Sequence, residues 1–354
     1  MCFDLVVVGA GIAGLYTALE MKRRSPHATV ALVDRAQAGK GATAYAPGIQ
    51  VAYGRDDVER ALAERGIDAW RRTFDECAIG EARQCDLIWM TQYPGPLMER
   101  HLRHTLGEIQ LEQVSDKLRS LPPLKWRSGV FAFFDRGCYS PSDPVATDLR
   151  ERLVELGCIF FEGVAATAVI AREDRVTVLR RDNECVEGRA AVVAIGPWAP
   201  GSALLDGLEF HVRASLRVKK VVALHLHTPP TPDCAAVVWL DDYAFLIPFV
   251  EGGYWLLSFT SQHWDVTPDE PLTVNADDFA IATSIIERWL PDLTPLIGPA
   301  RVFCDCYSRN GLPLVARHRE SERVAYICAG SGNGFRFAPP CAEDALALVG
   351  IAAV

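Results

Sequence analysis

The stretch VVVGAGIAGL, residues 6–15, leaves few folds open to this chain. Gly9, Gly11 and Gly14 form GxGxxG between an apolar run (residues 3–8, FDLVVV) and residues 12–24, whose apolar positions recur at helical spacing before KRRSP. The first glycine permits a tight turn, the second lets a pyrophosphate approach the backbone, and the third lets helix and strand pack closely. The helix opens at Ile12 and Ala13, where free N–H groups and the positive end of the helix dipole favour phosphate. A second apolar run (28–33) ends at Asp34, twenty residues after Gly14, where a carboxylate can accept from ribose hydroxyls. These features predict a βαβ unit of Rossmann type. The motif does not by itself separate NAD from FAD.

The rest of the chain divides into helical and strand-rich stretches. Residues 56–79 read as a long amphipathic helix with Asp56 or Asp57 in its first turn. Residues 143–157 and 276–293 read as two more, the latter stopped by Pro291, and a last helix opens at Pro339. Strand-like runs succeed one another between 216 and 260 without helices, which points to an antiparallel sheet. Residues 94–144 are rich in proline, glycine and aromatics, with short strands such as GVFAFFD. With 354 residues the chain is long enough for two domains.

Charge narrows the partners. The net charge is −9 with both signs interspersed, which argues against binding a phosphate backbone. No run approaches eighteen apolar residues, so no membrane span is expected. The first strand begins almost at Met1, leaving no room for a signal peptide. The 11 cysteines are irregularly spaced, with no CxxC, as for free thiols in a reducing cytoplasm. Cys304 and Cys306 form a CxC, but no second pair has the spacing to complete a metal site.

Three further segments bear on the kind of nucleotide. After Asp34 comes RAQAGKGATAYAPGIQVAYG, with glycines and small residues where a flavin would need close backbone contact. AAVVAIGPWAP (190–200) is a buried strand ending at Gly196-Pro197-Trp198. Near the far end, CAGSGNGFRFAPP (328–340) is a second glycine turn. In this order the segments resemble the D-amino-acid oxidase superfamily of flavoenzymes. The tail most resembles the sarcosine oxidase and pipecolate oxidase branch, near glycine oxidase, whose last motif reads G-x-S-G-H-G-F-K-F. Here that motif is Gly330, Ser331, Gly332, Asn333, Gly334, Phe335, Arg336 and Phe337, and VAYG (51–54) also matches the branch.

The resemblance implies an α/β, two-domain chain. A Rossmann-type FAD-binding domain would comprise residues 1–50, 143–205 and 305–354. A substrate domain with a large antiparallel sheet would comprise 51–142 and 206–304. FAD would lie on Gly9, Gly11, Ile12, Ala13 and Gly14, with Asp34 and Arg35 beside the ribose. Gly41, Ala42, Thr43, Ala166, Gly196 and Trp198 would continue the site. Gly330, Gly332, Asn333, Gly334, Phe335 and Arg336 would bring the second turn to the flavin ring.

The implied chemistry is oxidation of a C–N bond. Hydride leaves the carbon beside a neutral amine, the imine hydrolyses, and oxygen restores the flavin with release of hydrogen peroxide. Arg336 falls where the branch places a lysine for the substrate carboxylate. Gln50 stands where it has an arginine, and Phe249 where glycine oxidases often have one. No lysine occurs in 221–300, and the place of the branch's oxygen-promoting lysine falls near Trp255 or Leu256. A dehydrogenase with another electron acceptor therefore stays open.

Tyr45, Tyr243, Phe245, Phe249 and Trp255 would make the pocket aromatic and its substrate larger than glycine or sarcosine. Neither Cys304 nor Cys306 aligns with the cysteine that tethers FAD in some relatives, so a non-covalent cofactor is expected. No catalytic base is assigned. The expected partner is a small amine or amino acid, and the expected assembly a monomer or small homo-oligomer. An NAD dehydrogenase leaves the second glycine turn unexplained, a flavin monooxygenase should carry G-D-A before the last helix, and a non-enzymatic FAD subunit is the remaining alternative.

Overall fold

A computed structural model describes residues 2–77, 79–80, 83–93, 131–292 and 297–351; the stretch 94–130, including the start of GVFAFFD, lies outside the described residues. Strand β1 (Cys2–Val8) is apolar on both sides, and Leu5, Val6 and Val7 are fully buried. Such a run suits the middle of a parallel sheet covered on both faces. It pairs in parallel with β2 (Val30–Val33) on one side and β9 (Cys185–Val193) on the other. The sheet continues through β6 (Ile159–Phe161), β16 (Val324–Cys328) and β15 (Leu314–Arg317), in the order β15-β16-β9-β1-β2-β6. The antiparallel pair β7 (Ala166–Ala171) and β8 (Val176–Arg180) branches from β9.

Helices α1 (Ile12–Arg24) and α3 (Ser142–Glu155) share one core with the last helix, α6 (Gly334–Leu348). Helix α2 (Asp57–Cys77) packs outside α6. The opposite face of the sheet is closed by the β7–β8 pair and by Leu204, Leu205, Leu208 and Leu216, the last two flanking the short helix α4 (Phe210–Arg213).

The second sheet runs β14-β10-β13-β12-β11-β4-β5-β3. Its strands are β3 (Ile49–Gln50), β4 (Arg83–Thr91), β5 (Phe131–Tyr139), β10 (Arg217–Leu226), β11 (Ala236–Trp239), β12 (Ala244–Phe249), β13 (Tyr254–Phe259) and β14 (Ile297–Tyr307). It is antiparallel except for the pair β4–β11. Those two strands come from distant parts of the chain, so no hairpin dictates their direction. One face packs against α5 (Ala276–Trp289), and the other turns toward the first sheet. Asn275 caps α5: its side chain accepts from the Asp278 N–H, and Asp278 accepts from the Asn275 N–H. Among the described residues no helix is long and apolar enough to cross a membrane.

The last helix corrects a sequence expectation. It opens at Gly334, five residues before Pro339, and both Pro339 and Pro340 lie inside it. Prolines there cannot donate to the carbonyls of Phe335 and Arg336. The indole Nε1–H of Trp70, on α2, donates to the Phe335 carbonyl at 2.9 Å instead. Beside it, Gly66 lets α2 come close, since a Cβ there would sit 2.2 Å from the Arg336 carbonyl oxygen. Trp70 also stacks on Phe335, with centroids 4.4 Å apart. Trp70→Phe keeps a ring but leaves a buried carbonyl unsatisfied. It should lower unfolding free energy by about 1–3 kcal/mol, read from denaturant titration. An unchanged midpoint would mean the helix needs no outside donor.

Candidate functional site

The two sheets enclose a cavity of about 1450 Å3, beyond the ~300–1,000 Å3 usual for a single small ligand. The β1–α1 turn forms one wall. Gly9 has φ +100°, and a Cβ there would lie 2.3 Å from the Ala194 carbonyl oxygen. Gly11 faces the cavity, and a Cβ there would meet only the Thr43 hydroxyl, at 3.3 Å. The Thr43 hydroxyl accepts from the Ile12 N–H, and Ser142 donates to the Thr43 carbonyl, so residues 41–43 are fixed against the start of α1. The Asp34 carboxylate accepts from the Ala10 N–H at 2.6 Å and the Ala36 N–H at 2.8 Å. Burial raises its pKa above the ordinary aspartate value, against those two bonds. Arg35 lies over the Trp198 ring, 5.0 Å from its centroid, and pairs with Asp269.

The second glycine turn forms a further part of the wall, at the same edge of the first sheet, since β16 and β1 run parallel on either side of β9. Ala329 (φ +54°), Ser331 (φ +52°) and Gly332 (φ +81°) are all left-handed, and the two non-glycines mark local strain of the kind that collects at functional sites. Strand β14 holds the turn in place. Asp305 accepts from the Gly332 N–H and the Cys306 N–H, each at 2.8 Å, and the Ser331 N–H donates to the Cys306 carbonyl. Burial raises the Asp305 pKa. Helix α6 begins immediately after this turn, so its first N–H groups, which have no partner inside the helix, belong to the cavity wall. A Cβ on Gly334 would meet nothing within 4 Å.

Every cofactor residue named from the sequence lines this cavity except Gly14. A Cβ on Gly14 would lie 1.8 Å from the Gly9 carbonyl oxygen, so its place is in the contact between α1 and β1. The residues fit FAD: glycines leave room at Gly11, Gly196 and Gly334, a carboxylate stands at the end of β2, and two helix N-termini meet the space.

The pocket residues divide according to strand alternation. Tyr45, Tyr243 and Phe245 line the cavity, with Tyr45 stacked on Phe303 at 5.5 Å. Tyr243 sits in a turn at φ +47° and is 75% exposed. Trp255 corrects the expectation. Its neighbours on β13, Leu256 and Tyr254, take the cavity-side face, so Trp255 is buried in the core against α5. Phe249 shares the cavity-side face but sits farther along, stacked on Tyr254, where it lines a separate pocket of about 310 Å3 with Arg83, Tyr139 and Arg301. Gln50 is buried in β3 away from the cavity, and its amide nitrogen has no partner among the described residues.

Arg336 lines the cavity, but its terminal N–H groups are occupied. They donate to the carbonyls of Val51 and Tyr53, to Glu59 and to Asn333. Desolvation lowers its pKa to about 10, against the pull of Glu59.

Sequence reasoning missed three polar groups of the second sheet: Lys219, Asp305 and Tyr307 all line the cavity. Burial lowers the Lys219 pKa and raises that of Tyr307. Alternation along RVKKVV was the available signal: two adjacent lysines in a buried strand must face opposite sides. Cys304 and Cys306 do not line the cavity, and burial pushes their thiols up to about 11 and about 12.

The family model described as "DAO: FAD dependent oxidoreductase" matches residues 4–348. No curated protein matches the sequence. Several solved structures share the fold. L-proline dehydrogenase from P. horikoshii superposes with a TM-score of 0.82 at 17% identity, covering 98% of this chain and 93% of its own. Glycine oxidase from Geobacillus kaustophilus gives 0.80 at 17%, covering 99% and 95%. L-amino acid deaminase from Proteus vulgaris, with its specific insertion sequence deleted, gives 0.76 at 16%, covering 98% and 90%.

Proposed function

The chain belongs to the DAO family of FAD-dependent oxidoreductases and has the fold of amino-acid oxidases, and from that premise we propose that it oxidises the C–N bond of an amino acid or secondary amine. The observation that carries this reading is the meeting of two glycine turns, residues 9–14 and 330–334, on one cavity floored by the second sheet. FAD held there would supply the redox chemistry, acceptance of a hydride equivalent from the carbon next to nitrogen.

The chain's own residues bind, orient and exclude water. Gly11 and the first turn of α1 would hold the pyrophosphate, and Asp34 would take the ribose hydroxyls. The opening of α6, from Gly334, presents N–H groups that favour negative charge at the ring edge, while the N–H groups of Ser331, Gly332 and Asn333 before it are bonded to Cys306, Asp305 and Gly330 and fix the turn. Tyr45, Phe245, Trp89 and Tyr243 give the substrate space an aromatic lining suited to a side chain larger than a methyl group. The amine enters neutral, so positioning above the ring takes the place of a protein base. FAD is held without a covalent bond: the two cysteines of β14 lie off the cavity, and burial raises the thiols of Cys328 and Cys341, which line it, so that they stay protonated. Oxygen is the proposed electron acceptor.

The test is anaerobic mixing of the purified yellow protein with D-amino, N-methyl, cyclic and N-carboxymethyl amino acids. At least one should bleach the flavin absorbance, and air should restore it with one equivalent of hydrogen peroxide. Bleaching that only an artificial acceptor reverses would make the enzyme a dehydrogenase. A flavin that no amine bleaches would end the C–N reading, and substrate-dependent NADPH consumption would favour a monooxygenase.

A further inference from the structure

We propose that Lys219 is the cation that docks the carboxylate of the substrate; this rests on the C–N oxidation reading and names its substrate class as amino acids with a free acid group. Lys219 and Lys220 are neighbours on β10 and face opposite sides of the second sheet. Lys220 is buried against α5, where its Nζ donates to Asp278 at 2.5 Å and to the Thr273 carbonyl at 3.3 Å. Lys219 is only 7% exposed and lines the cavity. Its ammonium has no hydrogen-bond acceptor and no ion-pair partner among the described residues. It is cupped instead by two rings, 4.6 Å from the Tyr307 centroid and 5.0 Å from that of Trp264. The rings favour a cation but leave its N–H donors uncommitted. A buried ammonium in that condition is costly until an acceptor arrives.

Its position suits a reacting molecule. The β10–β14 register sets Lys219 directly opposite Asp305, the residue that holds the Gly332 N–H. The hydroxyl of Tyr307 lies 3.2 Å from where a Cβ on Gly332 would be. Lys219 is therefore beside the second glycine turn. Asp305 does not neutralise it at contact distance, since its carboxylate oxygens accept from Gly332 and Cys306. Burial lowers the Lys219 pKa and the nearby Asp305 charge opposes that shift, so an arriving carboxylate would further favour the charged amine.

Apart from Arg181, which is exposed to solvent, the other cations of the cavity are engaged. Arg336 and Arg55 converge on Glu59, Arg35 pairs with Asp269, Lys40 with Asp143, and Arg217 with Asp265. Arg181 stands beside Ala165, where the β7–β8 pair begins.

The experiment compares holoenzymes carrying Lys219, Lys219→Met, Lys219→Gln and Lys219→Arg. Calorimetry measures binding of benzoate and of its neutral analogue benzamide. Anaerobic titration measures flavin reduction by the best amino acid of the panel and by the matching amine without its carboxylate. Lys219→Met and Lys219→Gln should each weaken benzoate binding by about ten-fold or more, as expected for loss of a charge-assisted bond, and leave benzamide unchanged. The same variants should raise the half-saturating concentration of the amino acid but not of the amine, and Lys219→Arg should recover part of both losses. Equal losses for charged and neutral probes, or no loss, would overturn the proposal, as would failure of the wild type to prefer benzoate. Lys219-dependent benzoate binding in a protein whose flavin no amine reduces would retain the anion site and remove the C–N reading.

Discussion

Gly14→Ala should prevent accumulation of folded, FAD-loaded protein, whereas Gly334→Ala should fold normally and alter only the surroundings of the cofactor. The added methyl at 14 would stand 1.8 Å from the Gly9 carbonyl oxygen, 3.0 Å from the Gly9 carbonyl carbon and 3.2 Å from a Val7 methyl. Two of these three atoms are main chain and cannot rotate away. Helix α1 would have to lift from β1, and α1 carries Leu15, Tyr16 and Leu19 into the core at 1% exposure or less. Ordinary overpacking costs about 1–3 kcal/mol, and displacing a whole helix adds lost burial to that. The sum approaches the ~5–15 kcal/mol that keeps a domain folded. A Cβ on Gly334 would meet nothing within 4 Å among the described residues, and the residue opens a helix, where alanine is favoured over glycine by up to about 1 kcal/mol. Soluble yield, melting temperature and the ratio of flavin to protein absorbance separate the two variants. A Gly14→Ala protein with normal melting and flavin content would show that the βα contact tolerates a side chain.

The contrast between these glycines shows what the sequence could reveal. Glycine spacing reports where backbone must approach backbone or ligand, which is a local property. For that reason the β1–α1 turn, the strand ending at Val193 and the second turn were legible. The opening of α6 was not. Pro339 and Pro340 look like a first helical turn, and the structure accepts them deeper only because Trp70, some 265 residues earlier, supplies the missing donor. No local pattern records that partnership.

The substrate side was less legible because it depends on register. In YWLLSF the sequence marks an aromatic residue in a strand but not the face it takes, and Trp255 goes to the α5 side while Ser258 meets the cavity. In RVKKVV it marks two charges, of which one is tied to Asp278 and the other turns inward to the cavity. The resemblance implied an aromatic, weakly cationic pocket, whereas the pairing of β10 with β14 adds a lysine, an aspartate and a tyrosine to it.

Arg336 is where resemblance and geometry differ most, and its variants should distinguish them. The resemblance assigns it to the substrate carboxylate. In the structure Nη1 donates to the Tyr53 carbonyl at 2.7 Å and the Val51 carbonyl at 3.2 Å, while Nη2 donates to Asn333 at 2.9 Å and Glu59 at 3.2 Å. The guanidinium also lies over the Phe337 ring, and its Nε has no partner among the described residues. These bonds tie the first turn of α6 to residues 51–59, so the side chain positions the second glycine turn. The Arg336 and Glu59 side chains are 7% and 5% exposed, and removing one partner of a buried pair leaves a charge uncompensated at a cost of about 3–5 kcal/mol. Glu59→Gln and Arg336→Met should each lower unfolding free energy by that order, and the double variant should lose clearly less than the sum. Both single variants should also release FAD more readily, because the N–H groups of α6 lose their fixed position. Preference for benzoate over benzamide should persist in whatever holoenzyme remains. Arg336→Met with unchanged stability and a selective loss of carboxylate binding would instead return this arginine to the substrate.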